Sequence, residues 1–275
     1  MINLVAMKKY ICSLVIICLL PLAGKSQLAF IGYAEYGYSF FKYKSNELQV
    51  FLKDYNETYP TLTTPFKMKM GVAKGSYYKF GVGMGSNVMA ILDLAIYEVT
   101  SNPLEARFAD GSGRDIWTEH RNSNSVVGIR VGGTKEKPFF FQFDLDVSIQ
   151  QTYIYSAYVY PDGSRSLGNE KLLNGVYGDF VGMGGLGMTA GYRIIGPLAF
   201  NVSVNYMFNM MRGTPQYHQY TDLNDVKPDM APDYLPRDLD RYYTDPYTTE
   251  NSISNDWRGW KFNFGLVAMI GNWEE

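Results

Sequence analysis

Residues 198–210 read LAFNVSVNYMFNM and alternate between two kinds of side chain. Every second residue, starting with Leu198, is apolar, and the residues between them include Asn201, Ser203, Asn205 and Asn209. Side chains of a β-strand point alternately to opposite faces, so a repeat of two residues is typical of a strand. The segment therefore predicts a strand with one face that is apolar from end to end.

A second segment, residues 141–150, reads FQFDLDVSIQ and has the same alternation. Its odd positions are all apolar, while its polar face carries Asp144 and Asp146. Two carboxylates on that face would be costly in the dry core of a β-sandwich, because they would lose their hydration. The pattern argues against a sandwich with two dry inner faces.

The same alternation recurs along the chain and gives roughly eight candidate strands. The clearest further examples are residues 66–72, 78–84, 127–131, 190–194 and 262–270. Residues 28–40 are less regular, but Tyr36, Tyr38 and Phe40 can still share one face. We therefore expect an all-β protein.

The connections between these segments alternate between short and long. The short ones, near residues 74–76, 132–137 and 196–197, are rich in Gly, Pro or Lys, as tight turns require. The long ones are residues 44–64, 86–116, 161–179 and 213–256. Short turns at one end and long loops at the other are typical of a transmembrane antiparallel up-and-down β-barrel. We expect eight strands, with ten as the alternative if a long connection contributes another hairpin.

Aromatic residues are expected to form two belts at the membrane surfaces. At the long-loop end the sequence places Tyr36, Tyr38, Phe40, Tyr153, Tyr155, Tyr158, Tyr160, Tyr206, Phe208, Trp257 and Trp260. At the short-turn end it places Phe30, Tyr77, Tyr78, Phe139, Phe140 and Tyr192. The simpler alternative is that aromatic residues favour strands anywhere.

These patterns resemble the small outer-membrane β-barrel proteins of Gram-negative bacteria, of the eight-stranded kind. The resemblance covers residues 27–275 and rests on pattern rather than on a unique motif. Members usually end in a strand whose last residue is aromatic, whereas here Trp273 is followed by Glu274 and Glu275. The resemblance implies a location in the cell outer membrane, periplasmic termini, surface loops and contact with outer-membrane lipid.

If the apolar faces contact lipid, the charged residues on the opposite faces point into the lumen. This set is Glu35, Lys67, Lys69, Lys79, Arg130, Asp144, Asp146 and Arg193. The interior of an eight-stranded barrel is only wide enough for side chains to fill it. We therefore expect a structural network of ion pairs in the lumen, with a conducting channel as the alternative.

Residues 1–26 have the pattern of a cleaved signal peptide. Lys8 and Lys9 precede the uncharged apolar residues 11–20, and small residues lie before a cut ahead of Gln27. The apolar stretch is too short to span a bilayer. Both cysteines fall in this segment, so the mature domain, residues 27–275, would have no disulfide. A lipid anchor on Cys18 is the less favoured alternative.

The charge balance excludes some classes of function. Removal of residues 1–26 takes three of the 25 basic residues and no acid, which leaves 22 basic against 27 acidic residues. A mildly acidic chain without clustered Lys and Arg is not expected to bind nucleic acid. A hydrophobic share of 46% also excludes a disordered chain.

The last long loop concentrates the acidic residues. Residues 221–250 contain eight acidic and three basic residues, together with several Tyr and Pro. Such a loop on a rigid scaffold suits recognition of an extracellular or surface protein. The residues expected to make these contacts are Tyr234, Asp238, Asp240, Tyr242 and Tyr243. The alternative is a solvating cover over the barrel mouth.

Catalytic and cofactor signatures are absent from the sequence. His120 and His218 lie in different predicted loops, without a nucleophile and an acid at a recognisable spacing, and are expected to be solvated. The string GMGGLG at residues 182–187 matches a dinucleotide-binding fingerprint, but a strand pattern rather than a helix follows it. We expect no enzymatic activity, no cofactor and no metal site.

The sequence predicts one short helix in the first long loop. Residues 46–55 carry Leu48, Phe51, Leu52 and Tyr55 on one side, which indicates an amphipathic helix on the barrel rim.

The whole sequence predicts a surface structural or binding protein that acts through its long loops. A narrow channel or uptake accessory is the alternative, and a lipid-modifying or proteolytic barrel enzyme is favoured least.

Overall fold

The computed structural model describes residues 29–67, 71–85, 88–133, 137–167, 173–210, 218–220 and 257–271. The expected signal peptide and the acidic part of the last loop lie outside these ranges. The strands are β1 (Ala29–Lys44), β2 (Gly71–Gly85), β3 (Val88–Ser101), β4 (Leu104–Arg107), β5 (Gly113–Gly132), β6 (Phe139–Val159), β7 (Arg165–Ser166), β8 (Gly175–Ile195), β9 (Leu198–Asn209), β10 (His218–Tyr220) and β11 (Arg258–Gly271). A single helix, α1 (Asn46–Thr58), accompanies them within the described residues. It does not have the length and apolarity that a membrane-spanning helix needs.

Eight of the strands close into a ring by antiparallel pairing. Their order is β1, β2, β3, β5, β6, β8, β9 and β11, and β11 pairs back with β1. The path of paired residues that starts at Tyr33 runs through Gly81, Asp93, Val126, Asp146, Gly185, Met207 and Gly259. It returns to β1 at Tyr43, a displacement of ten residues from Tyr33. This stagger is what closes a tilted sheet into a barrel.

The two ends of the barrel differ, as the sequence predicts. Short links join β2 to β3, β5 to β6 and β8 to β9, and long links join the strands at the opposite end. β5 and β6 have 20 and 21 residues, although about 9–11 residues suffice to cross a bilayer. Their surplus length extends beyond the long-loop end, where β4 pairs with β5 and β7 pairs with β6.

The assignment of β2 and β3 from the sequence was wrong. Gly71–Gly85 is one continuous strand, so residues 74–76 form no turn, and the supposed long connection 86–116 contains β3. β3 shows no alternation of apolar and polar residues in the sequence, because both of its faces are largely apolar. Leu92 and Leu94 point outward, while Ile91 and Ala95 point inward. Tyr77 and Tyr78 consequently lie in mid-strand and not at the short-turn end.

The predicted helix is confirmed and is longer than expected. The Ser45 hydroxyl caps its first turn by accepting a hydrogen bond from the Leu48 amide at 3.1 Å. Its apolar face buries Leu48, Phe51, Leu52 and Tyr55. These residues belong to one cluster with inward-facing side chains of the barrel wall, including Ile116, Ile154 and Tyr177. α1 therefore closes the mouth of the barrel.

Candidate functional site

The centre of the lumen holds a buried ion pair. Lys79 Nζ lies 3.0 Å from Glu35 Oε2, and the paired side chains are 7% and 1% exposed. The Tyr77 hydroxyl donates a hydrogen bond to the other oxygen of Glu35. Glu35 and Lys79 are direct cross-strand neighbours, because the β1–β2 register pairs them. The pair thus ties two adjacent strands together inside the barrel.

Two further carboxylates are joined by an amide. Gln142 Nε2 donates to Asp144 Oδ1 at 2.6 Å and reaches Asp93 Oδ2 at 3.4 Å. The Thr189 hydroxyl donates to the second oxygen of Asp144 at 2.7 Å, and the Tyr33 hydroxyl donates to Asp93. These bonds connect β1, β3, β6 and β8 across the lumen.

A fourth carboxylate, Asp146 on β6, completes the network. Asp146 accepts from Asn124 Nδ2 at 2.9 and 2.8 Å, and Lys261 Nζ lies 3.3 Å from its Oδ2. The same ammonium lies 4.0 Å from the centre of the Tyr97 ring. The Tyr97 ring in turn stacks on Tyr77 at 5.1 Å. The acidic and basic groups therefore form one side-chain network that occupies the barrel centre.

An apolar layer with one embedded cation closes the short-turn end. The Arg130 guanidinium lies 4.8 Å from the centre of the Tyr33 ring and 4.6 Å from that of Phe140. Its Nε donates to Gln142 Oε1 at 2.9 Å, which links this layer to the central network. The buried apolar members of the layer are Ile31, Tyr33, Met89, Ile91, Phe140, Ala199, Val267 and Met269.

His120 lies inside the barrel, toward the long-loop end. This corrects the expectation that it is solvated. Residues 117–121 belong to β5, and the His120 side chain is fully buried. Its ring nitrogens lie 3.1 Å from the Thr152 and Thr118 hydroxyls, and Gln150 Nε2 lies 3.0 Å from Nδ1. The rings of Phe41, Tyr43 and Trp257 pack around it at 4.8 to 5.4 Å. Among the described residues, the contacts of the imidazole are hydroxyls, an amide and aromatic rings, and none is acidic.

At the long-loop end, α1 and the inner barrel wall that it contacts form a cap. Arg114 donates to the Ser156 hydroxyl at 2.8 Å and to Asn174 Oδ1 at 3.1 Å, and lies 5.7 Å from the centre of the Tyr55 ring. Burial raises the pKa of the Tyr55 phenol, and the Arg114 charge opposes that shift. A small apolar cavity of about 20 Å³ remains between Phe51, Ile116, Ile154 and Tyr177, which is room for roughly one water molecule.

Glycines give the large lumen side chains their space. A Cβ atom on Gly37 would overlap the Phe264 carbonyl oxygen, the Tyr77 ring and the Cα of Gly265. The glycine string at residues 182–187 likewise lies within β8, paired on both sides, rather than in a nucleotide-binding turn. At Gly37 the bare backbone leaves room for the ring of its cross-strand neighbour Tyr77.

The residues proposed from the sequence for the lumen fall into three groups. The structure places Glu35, Lys79, Arg130, Asp144 and Asp146 inside the barrel. Arg193 lies at the short-turn end and is half-buried, and its Nε donates to the Gly196 carbonyl. Lys69 lies outside the described residues.

The expectation for Lys67 was wrong. This residue is exposed and precedes β2. The Asn56 side chain bonds both the amide and the carbonyl of Phe66, at 2.8 and 3.0 Å, and so holds this segment as a loop beside α1. Phe66, and not Lys67, then turns into the buried cluster.

Sequence reasoning missed Asp93 and Lys261 as members of the lumen network. Asp93 lies on β3, inside the segment that the sequence predicts as a long connection, so it is absent from the predicted set. Lys261 alternates with apolar residues in the last strand, so its inward position could have been read from the sequence. The predicted contact residues Tyr234, Asp238, Asp240, Tyr242 and Tyr243 lie outside the described residues.

The outer surface of the barrel is apolar on every strand of the ring. Large apolar side chains that are at least 40% exposed include Tyr36, Phe80, Leu94, Ile129, Phe143, Leu186, Phe200 and Leu266. A water-soluble monomer does not leave so wide a continuous apolar surface exposed, whereas a barrel in lipid requires it. The fold is therefore a transmembrane antiparallel β-barrel. In transmembrane barrels of this kind the short turns lie on the periplasmic side and the long loops on the extracellular side.

Three solved structures are similar to this barrel at low identity. Neisserial surface protein A is 9% identical with a TM-score of 0.36, and the match covers 88% of this chain and 99% of that one. A major outer membrane protein from Thermus thermophilus is 12% identical with a TM-score of 0.40, covering 89% and 100%. The outer membrane protease OmpT from Escherichia coli is 9% identical with a TM-score of 0.32, covering 88% and 96%. No family model and no curated protein matches the chain.

The stability of the helical cap should depend on the buried Leu52 side chain. We expect Leu52→Ala to lower the free energy of unfolding of the cap by about 2–4 kcal/mol, because Leu52 is 1% exposed and its removal leaves a cavity. The matched control is Val50→Ala, two residues earlier on the exposed side of α1, which should change little. Limited proteolysis of the protein in lipid vesicles measures the difference, since a loosened α1 is cut faster. Equal cleavage of both variants would contradict the packing described for α1.

Proposed function

We propose that this protein is a closed, non-enzymatic barrel that anchors an extracellular binding surface in the outer membrane. The observation that carries the proposal is the filling of the lumen at three successive levels. The apolar layer around Arg130 closes the periplasmic end, the ion network fills the centre, and α1 closes the outer mouth. A barrel filled in this way has no continuous path for solutes.

Electrostatics also disfavours conduction. An ion that crosses the centre would have to separate buried pairs such as Glu35–Lys79 and Asp146–Lys261. Breaking a buried pair exposes an uncompensated charge to a low-dielectric interior, at a cost of about 3–5 kcal/mol. A narrow channel, the second candidate, therefore has no specific observation in its favour.

The binding surface that we propose includes the parts of β5 and β6 that lie toward the long-loop end. There the rings of Trp117 and Tyr155 stack in parallel at 5.0 Å, and the Tyr155 hydroxyl donates to Glu119 at 2.9 Å. Arg121 Nε donates to the same carboxylate at 2.5 Å and lies over the Tyr153 ring. Aromatic residues and Arg held rigidly on strands are the side chains that protein interfaces favour. The proposed ligand is therefore a protein surface.

A catalytic role has little to support it in the described part of the chain. His120 contacts hydroxyls, an amide and aromatic rings, and is sealed from solvent. No group of three or more His, Cys, Asp or Glu side chains that could hold a metal occurs among the described residues. The proposal therefore assigns the function to the extracellular surface.

Planar-bilayer recording tests the closed lumen. The purified full-length protein is expected to give no stepwise conductance. A variant in which residues 46–58 are replaced by a flexible Gly-Ser linker should also stay closed, because the central network and the periplasmic layer remain. Regular conductance steps of the unmodified protein would contradict the proposal and favour the channel.

Photo-cross-linking on intact cells tests the surface role. A photoreactive phenylalanine analogue replaces Tyr153 on the β6 extension, and the control replaces Tyr192, which points outward near the periplasmic end. We expect a protein adduct at position 153 and none at position 192. Adducts at neither position, or at both alike, would contradict a binding surface on β5 and β6.

A further inference from the structure

Four basic side chains cluster on the outer surface of three adjacent strands. Lys42 and Lys44 lie on β1, Lys74 lies on β2 and Arg258 lies on β11. The register pairs Lys44 directly with Arg258, Lys42 with Trp260 and Lys42 with Val72. Lys42 is therefore a diagonal neighbour of both Arg258 and Lys74 on the same face of the sheet. Diagonal neighbours lie about 7–8 Å apart and direct neighbours about 5 Å apart.

The cluster lies where the membrane ends. Below it, toward the periplasm, the outward positions of the same strands are aromatic, with Phe40 on β1, Tyr78 on β2 and Trp260 on β11. Lys42, Lys74 and Arg258 are exposed, and each is the first charged outward residue beyond the apolar belt on its strand. Aromatic residues mark the headgroup level of a bilayer. The four cations are thus at the level of the outer-leaflet headgroups.

The four cations have no acid paired with them in the described part of the chain, although Glu98 on β3 is an outward diagonal neighbour of Lys74. None of the four side chains has an ion pair or a hydrogen bond with another side chain there. Like charges directly opposite one another in a sheet repel, so the pair Lys44–Arg258 is unfavourable by itself. On the adjacent strands β3 and β5, Glu98 and Glu119 are instead paired with Arg121. An external anion would remove the repulsion on β11, β1 and β2.

We infer that this surface binds the phosphate groups of a phosphorylated lipid headgroup in the outer leaflet. The three strands present the cations in a row along the barrel wall, and the aromatic belt beneath them accommodates the acyl chains of the same lipid. Juxtamembrane Lys and Arg attract anionic headgroups by about 1 kcal/mol each. The site lies on the lipid-facing wall, apart from the β5–β6 surface of the proposed function, so each proposal can fail without the other.

The test compares two double variants of the full-length protein in detergent. Lys42→Gln/Lys74→Gln removes two charges from the cluster, and the control Lys53→Gln/Lys67→Gln removes two charges from exposed positions of the first loop. The probe is a glucosamine-disaccharide lipid with two phosphates, compared with its phosphate-free form, and lipid retention is measured by native mass spectrometry. We expect the cluster variant to bind the phosphorylated lipid about thirtyfold more weakly than the control, and the control to match the unmodified protein.

Three results would overturn the inference. The first is equal retention by the cluster variant and the control variant. The second is equal retention of the phosphorylated and phosphate-free lipids by the unmodified protein. The third is complete displacement of the lipid by millimolar inorganic phosphate, which would make the cluster a site for a free anion. A shift in gel mobility on boiling, retained by both variants, establishes that each is folded.

Discussion

Lys79→Met is expected to lower the free energy of unfolding of the barrel by about 3–5 kcal/mol. The substitution preserves the approximate volume of the side chain but leaves the Glu35 carboxylate, which is 1% exposed, with the Tyr77 hydroxyl as its remaining hydrogen-bond donor among the described side chains. An unpaired buried charge costs far more than the pair contributes, because its hydration is not replaced. Urea unfolding in lipid vesicles, followed by tryptophan fluorescence, measures the loss.

The double variant Lys79→Met/Glu35→Gln provides the control. It removes both charges and leaves an amide that can still accept from Tyr77, so we expect it to recover most of the stability lost by the single variant. The two substitutions should therefore be strongly non-additive, since they belong to one network. If the double variant were as unstable as the sum of the two single variants, Glu35 and Lys79 would not act as a pair.

Gly37→Val is expected to prevent stable assembly of the barrel. A Cβ atom at this position would overlap backbone atoms of β11 as well as the buried Tyr77 ring, so neither a rotamer change nor a small shift relieves the clash. Overpacking that one side chain can relieve costs about 1–3 kcal/mol, and displacement of the adjacent strand costs more. Gel mobility with and without boiling measures the outcome: the compact unheated band should be lost.

Gly32→Val is the matched control on the same strand. Gly32 faces outward, and the nearest atom to an added Cβ would be the Ile270 carbonyl oxygen at 4.0 Å. The valine would face lipid, and β-branched residues suit strands, so the compact band should persist. Loss of the band in this variant too would show that β1 does not tolerate an added branched side chain on either face. The effect of Gly37→Val could then not be assigned to the clash inside the barrel.

Most strands were predictable because their two faces differ in polarity. Residues 198–210 and 141–150 alternate so regularly that their strands and inward carboxylates could be assigned from the sequence. β3 was not predictable, since its inward Met89, Ile91 and Ala95 are as apolar as its outward residues. The helix α1 was predictable from its apolar stripe, but the surface that it covers was not.

The sequence by itself determined the β class, the separation of apolar and polar faces, the long and short ends, and most of the charges inside. Local alternation decides these properties, because a strand presents each residue to one of only two sides. The tertiary structure alone decided the closure of eight strands with a ten-residue stagger, the partners within the ion network and the seating of α1 in the mouth. It also brought Lys42, Lys74 and Arg258 together, from strands that are far apart in sequence. Such contacts depend on the register between strands, and register follows from the packing of the whole barrel.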